Sequence, residues 1–390
     1  MSYDFDTVHN RVGTHSAKWD KMEALYGVSP ETGISMWVAD MDFPAAPPIQ
    51  RALKGMMEPG IYGYYGDDAG YLAAICWWMD SRHGWTVNPD AIFTTHGLVN
   101  GYALCLDAFS KPGDGVILMT PVYHAFHRVI RAAGRELVEC PLALVDGRYE
   151  LDIAAWDAQM TGNEKILTLC SPHNPGGRVW TQAELEAIAD FARRHDLVLI
   201  SDEVHHDLVF PGASHIPMAT LPDIEDRLVM MTATTKTFNI AGTHSGNVII
   251  PDDRLRAAFA ARMMALGISP NSFGMIMAEA AYSPEGAEWV DALVNYLDGN
   301  RRLLDQGLNA IPGVRSMPLE ATYLGWVDFA GTGMEPSEFT RRVEGAGIAV
   351  NHGATFGTGG ESFLRFNFAT QRSLVVEAVE RVQAAFSDLQ

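Results

Sequence analysis

Cysteine is scarce: the 390 residues contain four, Cys76, Cys105, Cys140 and Cys170, and no CxxC pair. That spacing excludes a disulfide framework and a thiolate metal centre, and it suits reduced, buried thiols in the cytosol. Basic residues are also few, 28 Lys and Arg against 48 Asp and Glu, for a net charge of −20. They form no cluster, which argues against a nucleic-acid surface; the dispersed acidic surplus reads as solvated surface. No apolar run approaches the roughly 18 residues of a membrane span. The start, MSYDFDTVHN, has neither the basic nor the apolar region of a secretory signal. A soluble, cytoplasmic protein is therefore expected. GxGxxG, GxxxxGK[ST] and HExxH are absent, which argues against the dinucleotide, P-loop and metalloprotease classes. His205 and His206 are neighbours whose side chains diverge, so no metal site is expected.

What remains is rich in core-forming residues: 47% are hydrophobic. The length exceeds one typical core of roughly 100–200 residues. Short apolar runs predict strands at Gly115–Met119, Glu136–Cys140, Lys165–Cys170, Leu197–Ser201, Arg227–Thr232 and Gly246–Ile250. Helical patterns fall between them near Leu98–Ser110, Tyr123–Ala133, Thr181–His195 and Asp252–Gly267. Thr181 with Glu184 spells a capping box. This alternation predicts an α/β fold, a mostly parallel sheet covered by helices. The last third differs, with a long helix near Gly286–Ala310, strand-like runs at Tyr323–Phe329 and Phe363–Phe368, and a final helix from about Ser373. We expect a large domain over 46–285 and a smaller α+β domain from 1–45 and 286–390.

In open α/β sheets ligands bind beyond the carboxyl ends of the strands. Four segments lie there. Thr95-His96-Gly97-Leu98-Val99 opens a helix, whose free N–H groups suit an anion such as phosphate. Ser171-Pro172-His173-Asn174-Pro175-Gly176-Gly177 is a turn carrying one amide, and Asp202 is a strand-end carboxylate. Lys236, flanked by Thr235 and Thr237, is the only lysine between Lys165 and the C-terminus. An anion cradle, an amide, a carboxylate and a lysine, in that order on one sheet, are what pyridoxal phosphate requires.

The chain resembles the fold-type I pyridoxal-phosphate enzymes, the aspartate aminotransferase superfamily, and within it the cystathionine β-lyase and cysteine-S-conjugate β-lyase branch. The resemblance covers nearly the whole chain. It rests on Trp37-Val38-Ala39-Asp40-Met41-Asp42-Phe43, Gly63-Tyr64, Thr120-Pro121-Val122-Tyr123, Ser171 to Gly177, Ser201-Asp202-Glu203-Val204-His205, Lys236-Thr237-Phe238-Asn239-Ile240-Ala241-Gly242, Thr322-Tyr323-Leu324 and Leu364-Arg365-Phe366-Asn367. It implies pyridoxal 5′-phosphate bound covalently at Lys236, which would also move the Cα proton of the substrate. It further implies Asp202 on the pyridine nitrogen, Asn174 on the ring oxygen, Tyr123 stacked on the ring, and the Leu98 and Val99 backbone with Thr235 on the phosphate. Arg365 would hold the substrate carboxylate, the Val38–Ala39 backbone would close over it, and Tyr323 would line the side-chain pocket. Tyr64 would reach the phosphate of a neighbouring subunit, which makes a homodimer with shared sites the expected assembly.

There are departures: Ala233 stands where many members carry a phosphate-binding Ser, and His244 where aminotransferases usually carry Arg. His244 is thus a candidate phosphate ligand. The expected reaction is β-elimination from L-cystathionine or an L-cysteine S-conjugate to thiol, pyruvate and ammonia. The rivals are transamination in the same site and a binding protein with a relic pocket; intact Lys236, Asp202, Asn174 and Arg365 weigh against the last.

Overall fold

The computed structural model describes residues 3–389. Residues 1–2 and 390, at the outer ends of the expected small domain, lie outside them. Seven strands form the main sheet: β1 (Ile92–Thr95), β2 (Gly115–Leu118), β3 (Glu136–Glu139), β4 (Glu164–Cys170), β5 (Val198–Asp202), β6 (Leu228–Thr232) and β7 (Gly246–Ile249). Their spatial order is β1-β7-β6-β5-β4-β2-β3. All neighbours are parallel except β7, which runs antiparallel to both β1 and β6.

Alternation along the strands decides which face each residue buries. Val116, Leu118, Ile166, Ile200, Val229 and Met231 enter one core, beneath α1 (Leu98–Phe109), α2 (His124–Ala132) and α4 (Asp253–Ala265). Ile117, Leu167, Leu169, Leu199, Leu228 and Met230 enter the other, which includes α3 (Gln182–Arg194). With both faces covered, the inner strands are largely apolar, as those of parallel sheets are. The predicted capping box is present: Glu184 N–H donates to Thr181 Oγ1, and Thr181 N–H donates to Glu184 Oε2.

The second core continues into a four-stranded antiparallel sheet of β8 (Arg315–Ser316), β9 (Leu324–Asp328), β10 (Asn351–His352) and β11 (Phe363–Asn367), in the order β8-β9-β11-β10. It is backed by α5 (Pro284–Asn309) and α6 (Arg372–Ala385). The N-terminal segment packs here. Ile34 and Ser35 pair with Ile348 and Ala349, and Asp42 N–H donates to Ala369 O. Asp42 is buried with Lys18 Nζ at 2.7 Å and Arg11 Nη1 at 2.7 Å. Burial alone would raise its pKa, but Lys18 and Arg11 win and hold it below the usual carboxylate range.

All four cysteines are free. Three are buried, whereas Cys76 is half-buried, because its helix (Ala69–His83) turns that residue toward Val87. Among the described residues no helix is long and apolar enough to cross a membrane.

Candidate active site

The strand order brings four distant segments together. Lys236 sits in a short helical turn (Thr234–Thr237) just after β6. Asp202 ends β5, the next strand, in register with Cys170 of β4 and Met231 of β6. Asn174 follows β4, and Tyr123 follows β2 and precedes α2. Four chemically different groups therefore stand at neighbouring strand ends.

Asp202 is buried, and its Oδ1 accepts the Val204 N–H at 3.1 Å. Burial pushes its carboxyl up to about 6, with the Val204 N–H and the Lys236 charge pulling the other way. Such a group favours a cation close by. Lys236 Nζ donates to the Ala39 carbonyl at 2.7 Å. Desolvation lowers its pKa to about 8, assisted by Arg365 and opposed by Asp40 and Asp202. A substantial fraction of free amine therefore exists near neutrality, which a nucleophile or base needs.

Arg365 lies in the middle of β11, buried, opposite Trp326 of β9 and Asn351 of β10. Its Nη1 donates to Asn174 Oδ1 at 3.0 Å and its Nη2 to the Trp37 carbonyl at 2.9 Å and to Asn351 Oδ1. The guanidinium lies 4.9 Å from the Phe356 ring centre. Its Nε is buried with no partner. Because Oδ1 of Asn174 faces Arg365, the Nδ2 donor of that amide is left for a ligand. Tyr323 O–H donates to the same Ala39 carbonyl at 3.0 Å.

Three asparagines that the sequence reading gave no role hold this arrangement. Asn239 donates to the Met41 and Phe43 carbonyls at 3.0 and 2.7 Å and accepts the Met41 N–H at 2.8 Å. Asn367 donates to the Val38 carbonyl, and to that of Asp40 at 2.6 Å. Between them they fix the Trp37–Phe43 backbone beside Lys236. Asn351 fixes the Arg365 fork. The only signal in the sequence was their place within Lys-Thr-Phe-Asn, Arg-Phe-Asn and the β10 segment.

A cavity of about 700 Å³ is lined by Val38, Ala39, Asp40, Lys236, Asn239 and His244, among others. Thr235 is half-buried beside Lys236. Leu98 and Val99 begin α1, whose first amides have no side-chain cap. Gly97, at φ +83°, makes the turn into that helix, and a Cβ there would lie 3.8 Å from the His244 Cα. His244 therefore stands beside the helix start. Tyr64 is separate from all of these, fully exposed within one chain.

The family described as aminotransferase class I and II matches residues 50–382. The chain belongs to that family. A relative in this family, cystathionine β-lyase PatB of Bacillus subtilis, is 37% identical, with 98% of this chain and all of PatB aligned. Cystalysin from Treponema denticola, whose crystal structure contains pyridoxal 5′-phosphate, superposes with a TM-score of 0.94 at 35% identity and full coverage of both chains. The pyridoxal-phosphate-bound C-S lyase of Staphylococcus hominis gives 0.90 at 28% identity, covering 99% of this chain and 98% of that one. The class I and II aminotransferase fold, a parallel sheet with functional groups at its strand ends, is thus shared along the whole chain, including the branch whose relatives are C-S lyases.

Proposed function

We propose that the protein is a pyridoxal 5′-phosphate-dependent carbon–sulfur β-lyase that converts L-cystathionine or an S-conjugate of L-cysteine to thiol, pyruvate and ammonia. The observation that carries this reading is the meeting of a half-buried, desolvated amine, a buried carboxylate and a buried guanidinium at Lys236, Asp202 and Arg365, in a chain aligned end to end with a cystathionine β-lyase.

The residues present fit such a cofactor. Asp202 is a desolvated carboxylate that a pyridinium N–H would return to its ionised form. The uncapped start of α1, with Leu98 and Val99, would take the phosphate, with Thr235 and His244 beside it. Asn174 Nδ2 would donate to the ring oxygen, and Tyr123 would cover the ring face. Bound there, the cofactor supplies an aldehyde that captures the substrate amine and a ring that draws electrons from Cα.

The protein's own groups do the rest. Arg365 fixes the substrate carboxylate with the Nε and Nη donors left over from its three anchors. The Val38–Ala39 backbone, held by Asn367, closes that side, and Tyr323 bounds the side-chain pocket. This sets the Cα–H bond toward Lys236 Nζ, which takes the proton. Sulfur then leaves Cβ as thiolate, and hydrolysis releases pyruvate and ammonia.

Incubation of the holoenzyme with S-substituted cysteine tests the reading. We expect stoichiometric pyruvate and free thiol with no keto acid added. Turnover that depends on an added keto acid would establish the aminotransferase instead.

Tyr64 supports a homodimer, since its fully exposed ring, next to exposed Ile61 and Tyr62, has nothing to hold within one chain. A mixture of Tyr64→Ala and Lys236→Ala chains checks this. Each alone is expected to be inactive or nearly so. Random pairing through a two-fold interface leaves one native site in each hybrid and restores roughly a quarter of wild-type turnover. No recovery after verified subunit exchange would place Tyr64 outside the site. The division into a cofactor domain of 46–285 and a smaller domain of 1–45 and 286–390 belongs to the same proposal. So does a cytosolic setting, which the free thiols support.

A further inference from the structure

A second group of ligand-bearing side chains gathers outside the Lys236 cavity, along a cleft of about 510 Å³ lined by His83, His206, Asp207 and His215, among others. Asp207 is buried at its centre. Its Oδ1 accepts from Trp78 Nε1 at 2.9 Å and lies 2.9 Å from His83 Nε2. Its Oδ2 accepts from Thr237 Oγ1 at 2.9 Å and lies 3.2 Å from His206 Nε2.

The His206 tautomer follows from its other nitrogen. Nδ1 abuts the Glu203 backbone carbonyl, which only accepts, so Nδ1 carries the hydrogen. In the neutral ring Nε2 then presents a lone pair to a carboxylate oxygen. Two acceptors facing each other away from water repel, and His206 Nε2 is indeed buried without a hydrogen-bond partner. A positive centre belongs between them. His83 presents a second Nε2 to the other oxygen of the same carboxylate, and one ligand atom from each of His83, His206 and Asp207 lies within 4.8 Å of the others.

We propose that His83, His206 and Asp207 bind a divalent transition-metal cation of the zinc class. Two imidazoles and one carboxylate suit zinc, cobalt or nickel, and not magnesium or calcium, which prefer all-oxygen shells. With bonds of ~2.0–2.1 Å, the edge of a tetrahedral site is about 3.3 Å. The 2.9 Å contact is to Oδ1 and the 3.2 Å contact to Oδ2, so the cation sits across the carboxylate between the two rings, and each N···O pair opens toward that edge as it enters. The outer partners of a metal site are in place: Trp78 and Thr237 hold the carboxylate, and the Glu203 carbonyl orients His206. The cleft leaves the remaining coordination position to water. His83 ends the Ala69–His83 helix, whereas His206 and Asp207 follow β5, so the cation clamps that helix to the loop behind Asp202. Residue spacing alone predicts no metal here, since the adjacent pair His205 and His206 diverges. The third ligand, His83, lies far upstream.

Untagged holoenzyme, stripped with chelator and dialysed, is titrated with ZnCl₂, CoCl₂ and MgCl₂, and metal content is measured after gel filtration. We expect one zinc or cobalt per chain, a raised Tm with either, and neither uptake nor Tm change with magnesium. His83→Gln keeps an N–H donor for Asp207 but removes the ring nitrogen. It is expected to retain its fold, cofactor absorbance and basal turnover while losing the stoichiometric site and the Tm rise. His206→Gln serves the same purpose should His83→Gln not fold. Absence of stoichiometric zinc in the wild type, or uptake unchanged by these variants, overturns the proposal; the first result would mean that a proton holds the cluster together. The metal-content and Tm readouts do not depend on which amino acid the enzyme cleaves.

Discussion

Lys236→Ala is expected to lower C–S cleavage by about 10⁴-fold or more, the upper range for loss of a positioned base and greater still where the same group also binds covalently. The variant loses one amine and its bond to the Ala39 carbonyl. Because that contact is made at the edge of a cavity, the fold should survive, and circular dichroism with Tm verifies it. Borohydride treatment of the wild-type holoenzyme is expected to tag the peptide containing position 236, and to tag none in the variant. Small added amines should restore part of the turnover. The depressed pKa provides an independent check. Uptake of cofactor by apoprotein needs the uncharged amine, so its rate should climb with pH toward 8 and then level off. An unperturbed lysine would keep gaining until about 10.4. A rate that continues to climb past 9 would mean the amine is not desolvated, and turnover that survives the substitution removes Lys236 from the reaction.

Arg365→Lys is the second large effect. The guanidinium serves Asn174, Asn351 and the Trp37 carbonyl at once and retains a buried Nε. A lysine is a single point of charge without the planar fork. It leaves at least one buried acceptor unpaired and cannot grip a carboxylate with two parallel bonds. Truncating one partner of a buried, hydrogen-bonded charge costs about 2–5 kcal/mol, or roughly 30-fold to several thousand-fold in kcat/KM. Both KM and kcat should move, since the carboxylate grip also orients the Cα–H bond. The decisive comparison uses a substrate analogue without the carboxylate. Wild type should strongly prefer the amino acid, and the variant should lose most of that preference. Equal losses on both substrates would make Arg365 a structural residue only.

Some features were legible from residue type and position, and others were not. The five inner strands could be read because they are buried on both faces and so are largely apolar; the edge strand β3 was betrayed only by its central Leu137 and Val138. β1, Ile92–Thr95, escaped notice: it is four residues long, half of them threonine, and lies at the sheet edge. The Ala69–His83 helix escaped for the opposite reason, since its apolar residues run almost all round and leave no stripe to detect. Asn174, Asp202 and Lys236 stood out because strand ends are where α/β proteins place their chemistry. Arg365 is mid-strand, and only the family resemblance pointed to it. Asn239 and Asn367 act on backbone carbonyls far away in the chain, and Asn351 on the Arg365 guanidinium across the sheet, relations that no local spacing encodes.

The Trp37–Ala39 stretch works through carbonyl oxygens, which every amino acid possesses. Lys236, Tyr323, Arg365 and Asn367 all lean on it. Replacing the side chains at 37, 38 or 39 therefore leaves those acceptors where they are, whereas shifting the segment's path by inserting or deleting a single residue displaces all of them together. Tolerance to point substitution combined with intolerance to a change in length is the mutational signature this stretch should display.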